Sequence, residues 1–286
     1  MYLAFSVARI TQGAGGMGAS MPVLLGSMTE ALFRTNAYLA ECSATVTAIT
    51  AQGITLDRTV FYPLGGGQAG DAGTLLLLSG PQKGALISIA DTRKSKDADG
   101  RFDGTICHLP EAEQGAEAMA QRPSAMASFR VGDSVSARLD WSRRHKLMRF
   151  HTATHLLCHL VPHLVNGCSI TPDYARLDFN MTEPLDKDRL SAALGQLVRA
   201  AHPLHIGAIT EAELDANPAL VKSMSVQPPR GTGSIRTVRI GEQTLIDMQP
   251  CGGTHVANTS EVGAVIVSRI EKKSASTRRV LLGFAA

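Results

Sequence analysis

Two short motifs constrain this chain more than anything else in it. HTATH fills residues 151–155 and CGGTH fills residues 251–255, about a hundred positions later. Each carries two side chains able to bind a metal ion, four positions apart. On a helix, residues four apart share a face, so His151 and His155 direct two imidazoles at one point. Gly252 and Gly253 favour a tight loop that turns Cys251 and His255 toward one place. Imidazole and thiolate are both zinc ligands. Either motif alone is as well explained by satisfied histidines and an ordinary thiol. Together they point to one four-donor site. Cys158 and His159 extend the first motif and compete as ligands, although Cys158 reads better as a core thiol.

The rest of the pattern divides near residue 140. From there Asp140 or Ser142 can cap a helix that runs through RRHKLMRFHTATHLLCHLV to Pro162. Leu147, Phe150, Thr154, Leu157 and Val161 fall at helical spacing along it. RLDFNM reads as a strand, and PLDKDRLSAALGQLVRAA (184–201) as a second, amphipathic helix. HIGAITEAEL, SIRTVRIG, TLIDMQ, GAVIVSRIEKK and RRVLLGF add strands. Residues 141–286 are therefore expected to be an α+β domain. Residues 28–140 read as a mainly β, barrel-like domain. CSATVTAIT, ITLDRTVFYP, GTLLLL and ALISIADT are short β-rich runs bounded by turn residues. KSKDADGRFDG reads as a polar turn, EAEQGAEAMAQRPS as a weak helix or loop, and FRVGDSVSARLDW as a Gly-Asp hairpin. Residues 1–27 are Gly- and Ala-rich without a period and are expected to be a flexible leader, either native or read from a start placed ahead of Met28. The fold class expected for the whole is α+β.

Composition narrows the function. The chain has 286 residues, enough for one or two domains, and 44% of them are hydrophobic, which is ample for a core. A net charge of +3 permits a polyanionic partner without requiring one. Five unpatterned cysteines indicate a reducing compartment, here the cytoplasm, and not a disulfide framework. No run approaches the roughly 18 apolar residues that a membrane helix needs. Arg143, Arg144, Lys146 and Arg149 crowd the start of the HTATH helix, and Lys272, Lys273, Arg278 and Arg279 crowd the C-terminal end. Such runs are usually solvated faces; beside a nucleic-acid site they supply phosphate contacts, and Arg143 and Arg144 are the candidates. With 5% aromatic residues, a base-stacking platform is not evident.

HTATHLL, RLDF and CGGTHVANTSEVG, in this order, resemble the editing domain of alanyl-tRNA synthetase and its free-standing relatives, the AlaX proteins. Upstream, VFYPLGGGQAGDAGTL resembles the FYP-GGGQ-x-x-D-x-G segment that precedes the editing domain in the larger AlaX class, and IRTVRIG and RRVLLG also fit. The resemblance covers about residues 40 to 283. It implies one zinc ion held by His151, His155, Cys251 and His255. It also implies hydrolysis of the ester joining a wrong amino acid, serine or glycine, to tRNA(Ala). No motif of an aminoacylation core is present, so the editor acts in trans.

The remaining residues fix what chemistry is open. Thr152 stands where a zincin has Glu, which argues against an HExxH metalloprotease. Thr152 and Thr154 are candidate substrate contacts; alternatively Thr154 faces the core and Thr152 is an ordinary helical neighbour. Sparing alanine while attacking serine needs a site that hydrogen-bonds the extra hydroxyl. Backbone amides at Gly252 and Gly253 fit that need. Gly65, Gly66, Gly67 and Gln68 either expose amides to phosphate or the RNA 3′ end, or simply turn the chain; no GK[ST] follows, so this is not a P-loop. Four tight ligands would close a zinc site, whereas catalysis needs an open position, so either one ligand is labile, with Cys251 the candidate, or the zinc expands to five-coordinate. Three functions stay open: an editing hydrolase, a zinc-stabilised tRNA-binding module, and a hydrolase of small esters.

Overall fold

The computed structural model describes residues 28–97, 99–111, 125–231 and 233–285. The expected leader, residues 1–27, and nearly all of EAEQGAEAMAQRPS lie outside the described residues.

The first half carries β1 (Glu30–Ala31), β2 (Glu41–Ile49), β3 (Ile54–Leu56), β4 (Arg58–Thr59), β5 (Gly73–Leu77), β6 (Leu86–Lys96), β7 (Phe102–Pro110) and β8 (Ser134–Leu139). Six of them close a barrel in the order β2-β3-β7-β6-β5-β8, while β1 and β4 form a short parallel pair outside it. Alternation does the work: Leu75, Leu77, Ile87, Ile89, Val135, Ala137 and Leu139 point inward with Val46, Phe61 and Phe129.

Two local expectations are corrected. FRVGDSVSARLDW is not a hairpin, because a 3-10 helix (Ala125–Ser128) precedes the Gly132 turn and only β8 follows it, pairing with β2 and β5 instead. ITLDRTVFYP is not one strand. After β4 its backbone leaves the ladder, and side chains satisfy it: Thr59 and Asp71 accept from the amides of Phe61 and Tyr62, and Arg144 donates to the Val60 carbonyl.

The second half holds α1 (Trp141–Leu160), β9 (Val165–Ile170), β10 (Ala175–Asn180), α2 (Lys187–Arg199), β11 (Leu204–Ile209), α3 (Glu211–Ala216), β12 (Ile235–Ile240), β13 (Asp247–Pro250), β14 (Val265–Ser274) and β15 (Thr277–Phe284). Asp140 caps α1 by accepting from the Arg143 amide, directly after barrel strand β8 ends. From Phe150 to Cys158 every α1 residue is buried, so this helix runs through the interior and shows no single apolar stripe. In contrast, α2 is amphipathic, burying Leu190, Leu194 and Val198 and capped by Asp186. The antiparallel sheet β14-β15-β10-β9 closes one side of this core, and β11-β12-β13 forms a second sheet. The segment EAEL, expected as strand, is α3, because Thr210 and Glu213 form a capping box.

Candidate metal centre and its supports

Three elements build the site. Helix α1 supplies His151 and His155, the loop after β13 supplies Cys251 and His255, and the GGGQ turn from the barrel half supplies Gln68. The four donor atoms of His151, His155, Cys251 and His255 lie within 4.8 Å of one another. Cys251 Sγ is 3.5 Å from His151 Nε2 and 3.3 Å from His255 Nε2. A tetrahedron with bonds of about 2.0–2.3 Å has edges of roughly 3.3–3.8 Å, so the two separations at Cys251 suit a zinc-sized ion. Cys158 is a core thiol and His159 is exposed, and neither belongs to the four-donor cluster.

Each histidine is held by its other nitrogen. His151 Nδ1 meets Gln68 Oε1 at 2.7 Å, His155 Nδ1 meets Asp247 Oδ2 at 2.8 Å, and His255 Nδ1 meets Thr152 Oγ1 at 3.2 Å. These three contacts leave Nε2 of each ring for the centre, the arrangement that orients a metal-binding imidazole. Gln68 also accepts from the Thr254 amide and donates to the Thr254 hydroxyl, tying the barrel half to the CGGTH loop. Charge follows the same plan. Burial opposes ionisation of Cys251, but the His151 and His255 imidazoles outweigh it and hold the thiol well below its usual pKa. Burial also opposes the charged form of His155, yet Asp247 and Cys251 raise it to about 10. Burial, helped by the charge of His151, pulls His255 down to about 3. A thiolate facing neutral or exchangeable imidazoles is what a borderline-soft divalent cation binds.

The other expected site residues separate. Thr152 reaches the site only through His255, and Thr154 turns its hydroxyl back to the His151 carbonyl at 2.7 Å, so it does not face the centre. Gly65 and Gln68 exchange both backbone hydrogen bonds around Gly66 and Gly67, whose φ angles of 58° and 84° need glycine. Gln68 is fully buried and supports His151 and does not meet solvent. Gly253 packs against the His151 ring, where a Cβ would stand 2.1 Å from Cε1; at Gly252 a Cβ would meet nothing within 4 Å.

The arginines are corrected most strongly. Arg144 is not a surface contact. It is fully buried, paired with Asp71 and bonded to the carbonyls of Ala37 and Val60, and it locks the two halves together. Arg143 donates to the Gly70 carbonyl. Arg149 bonds the Val262 carbonyl and stacks over Phe284, while Arg278 is buried among carbonyls and Arg279 and Lys273 pair with Asp178. Asp247 was missed in the sequence; its one signal is an acid inside the apolar run TLIDM that leads straight into the Cys motif.

Among the described residues no helix is long and apolar enough to cross a membrane, and the five cysteines are free. Residues 235–280 match the family described as threonyl and alanyl tRNA synthetase second additional domain. The alanyl-tRNA editing protein AlaX-M of Saccharolobus solfataricus is 31% identical over 257 residues, 88% of this chain and 98% of the relative. That of Methanosarcina mazei is 30% identical over 264 residues, 88% and 95%. The alanine–tRNA ligase of Metallosphaera sedula is 30% identical over 256 residues, which cover 85% of this chain but 25% of the ligase. A likeness that runs through the barrel half as well as the four-donor half, at nearly full length of the AlaX-M proteins, shows that the chain belongs to the AlaX family of alanyl-tRNA editing proteins.

Proposed function

We propose that this alanyl-tRNA editing enzyme is a free-standing hydrolase that deacylates Ser-tRNA(Ala), with Gly-tRNA(Ala) as its second substrate, at a single zinc ion held by His151, His155, Cys251 and His255. The observation that carries this is the convergence of three imidazoles and one thiolate from motifs a hundred residues apart. The donor set fits the ion, since every imidazole is oriented by a partner on Nδ1 and the thiol is held deprotonated. When bound there, zinc supplies Lewis-acid chemistry suited to ester hydrolysis: polarising a carbonyl, orienting an amino group, or lowering the pKa of water.

The chain's own residues do the rest. Gln68, Asp247 and Thr152 fix the three rings, so that the centre keeps one geometry through a reaction cycle. Gly253 allows the CGGTH backbone to lie against the His151 ring. Cys251 is the ligand this reading assigns to the labile position. Division into a barrel domain (28–140) and an editing domain (141–286) rests on their two separate cores.

The test is single-turnover deacylation of Ser-tRNA(Ala) and correctly charged Ala-tRNA(Ala) by the purified chain, with zinc content measured in parallel. Zinc-dependent loss of the seryl ester and survival of the alanyl ester is the expected result. Binding of tRNA without turnover would make the chain a binding module, and tRNA-independent cleavage of small esters would make it a general esterase.

A further inference from the structure

Several arginines of this chain have an acidic partner. Arg144 has Asp71, Arg93 has Asp91, Arg138 has Glu41, Arg230 has Asp215, and Arg279 has Asp178. Three other cations lie around the GGGQ turn and Cys251. Among the described residues Arg34, Lys94 and Arg236 form no ion pair.

Their placement is defined by contacts. Lys94 Nζ stands 3.8 Å from the point where a Cβ on Gly65 would lie, and the Tyr62 hydroxyl stands 3.6 Å from that same point. Tyr62 donates to the Gly65 carbonyl at 2.8 Å. Arg236 is tied to the metal loop on both sides: it donates to the Cys251 carbonyl at 2.5 Å, and its own carbonyl accepts from the Cys251 amide at 3.1 Å. Its Nε is buried and has no hydrogen-bond partner, an N–H that lacks its acceptor. Burial, and after it the charge of Arg34, lowers the pKa of Lys94; burial and Arg34 also lower that of Arg236 against the Cys251 thiolate. Arg34 is thus within electrostatic reach of both. The GGGQ turn adds the amides of Gly66 and Gly67, which have no acceptor among the described residues, on a backbone with two successive positive φ angles. Consecutive free amides in such a turn form an anion-binding concavity.

An anion seated among these cations would offset the repulsion that Arg34 exerts on Lys94 and Arg236 and would give the orphaned Arg236 N–H an acceptor. The four-donor centre beside them acts on an ester at the end of a polyphosphodiester. We propose that Arg34, Lys94 and Arg236, with the Gly66 and Gly67 amides, form a phosphate subsite that holds the 3′-terminal phosphodiesters of the substrate RNA and so sets the ester against the metal centre. This rests on the tRNA-editing reading of the site and adds the residues by which the single-stranded end is gripped.

The experiment uses an uncharged RNA minihelix with a single-stranded CCA end and, separately, seryl-adenosine, which has the ester but no phosphate. Arg34 and Lys94 are exposed, so Arg34→Ala/Lys94→Ala leaves the cores intact. Exposed Lys187 on α2 serves as the control in Lys187→Ala. Affinity for the minihelix is measured against salt. The double variant is expected to bind about tenfold more weakly, with a log–log salt slope shallower by about 1.4, two contacts at roughly 0.7 each for single strands. An unchanged slope, or an equal change in Lys187→Ala, overturns the proposal. In turnover, the double variant is expected to lose efficiency on the seryl-minihelix through KM and to keep wild-type rates on seryl-adenosine; equal losses on both would show a structural role and also overturn it. A wild-type chain that cleaves neither substrate refutes the hydrolase reading, and the salt slopes then decide the subsite alone.

Discussion

Gly253→Ala is the smallest change that should disable the centre. The added Cβ would stand 2.1 Å from His151 Cε1, 2.4 Å from Nδ1 and 3.0 Å from Gln68 Oε1. Carbon atoms rest about 3.5–4.0 Å apart, so the ring or the loop must move by more than about 1 Å. His151 cannot move freely, because Gln68 holds its Nδ1 at 2.7 Å and its helix is buried along both flanks. The loop cannot move freely either, because Cys251 and His255 flank Gly253 and both belong to the same four-donor cluster. A displacement of this size at a reacting centre costs about a hundredfold in rate. Loss of the hydrogen bond that orients a metal-binding imidazole weakens metal binding by roughly 10- to 100-fold. The matched control is Gly252→Ala, one residue away, where a Cβ meets nothing within 4 Å. Zinc affinity by chelator competition and single-turnover deacylation of Ser-tRNA(Ala) read the outcome, with circular dichroism to confirm folding. Wild-type affinity and rate in Gly253→Ala, or equal losses in both variants, would refute the close-approach argument.

Replacing His151 or His155 by Ala should abolish both zinc retention and deacylation, while Cys251→Ala should retain part of each if the thiolate is the labile ligand; equal losses at all positions would instead mark a closed four-ligand site. Asp247→Asn should lower zinc affinity by about 10- to 100-fold through His155, and unchanged chelator competition would remove Asp247 as a support. Arg144→Met strips the buried Asp71 of its partner and should destabilise the chain by roughly 3–5 kcal/mol in urea; a loss under about 1 kcal/mol would show that the pair does not join the two halves. In the metal-free protein His155 is raised from 6.5 to about 10 against burial by Asp247 and Cys251. A raised folded pKa contributes stability that is complete below pH 6.5 and lost as pH climbs toward 10, so the urea midpoint of the zinc-free chain should fall across that window and flatten in Asp247→Asn.

The sequence by itself marked most of the longer elements and named the four side chains that the fold gathers into one cluster. The four-residue spacing of His151 and His155 on a capped, breaker-free run could only be a helix face, and the alternating apolar runs of residues 41–96 could only be half-buried strands. Local periodicity and capping carry that information because they depend on residues within a few positions. What the fold alone decided depends on groups far apart in the chain. Gln68 and His151 are 83 residues apart, His155 and Asp247 92, and Thr152 and His255 103; no local pattern encodes these contacts. The basic run at the start of α1 read as a surface because charge runs usually are; tertiary packing put Arg144 in the core, where only the carboxylate of Asp71, 73 residues away, makes a buried guanidinium tolerable. Meanwhile Lys94 and Arg236, far apart in the chain with nothing in their local sequence to mark them, were placed at the GGGQ turn and at Cys251 by the tertiary fold alone.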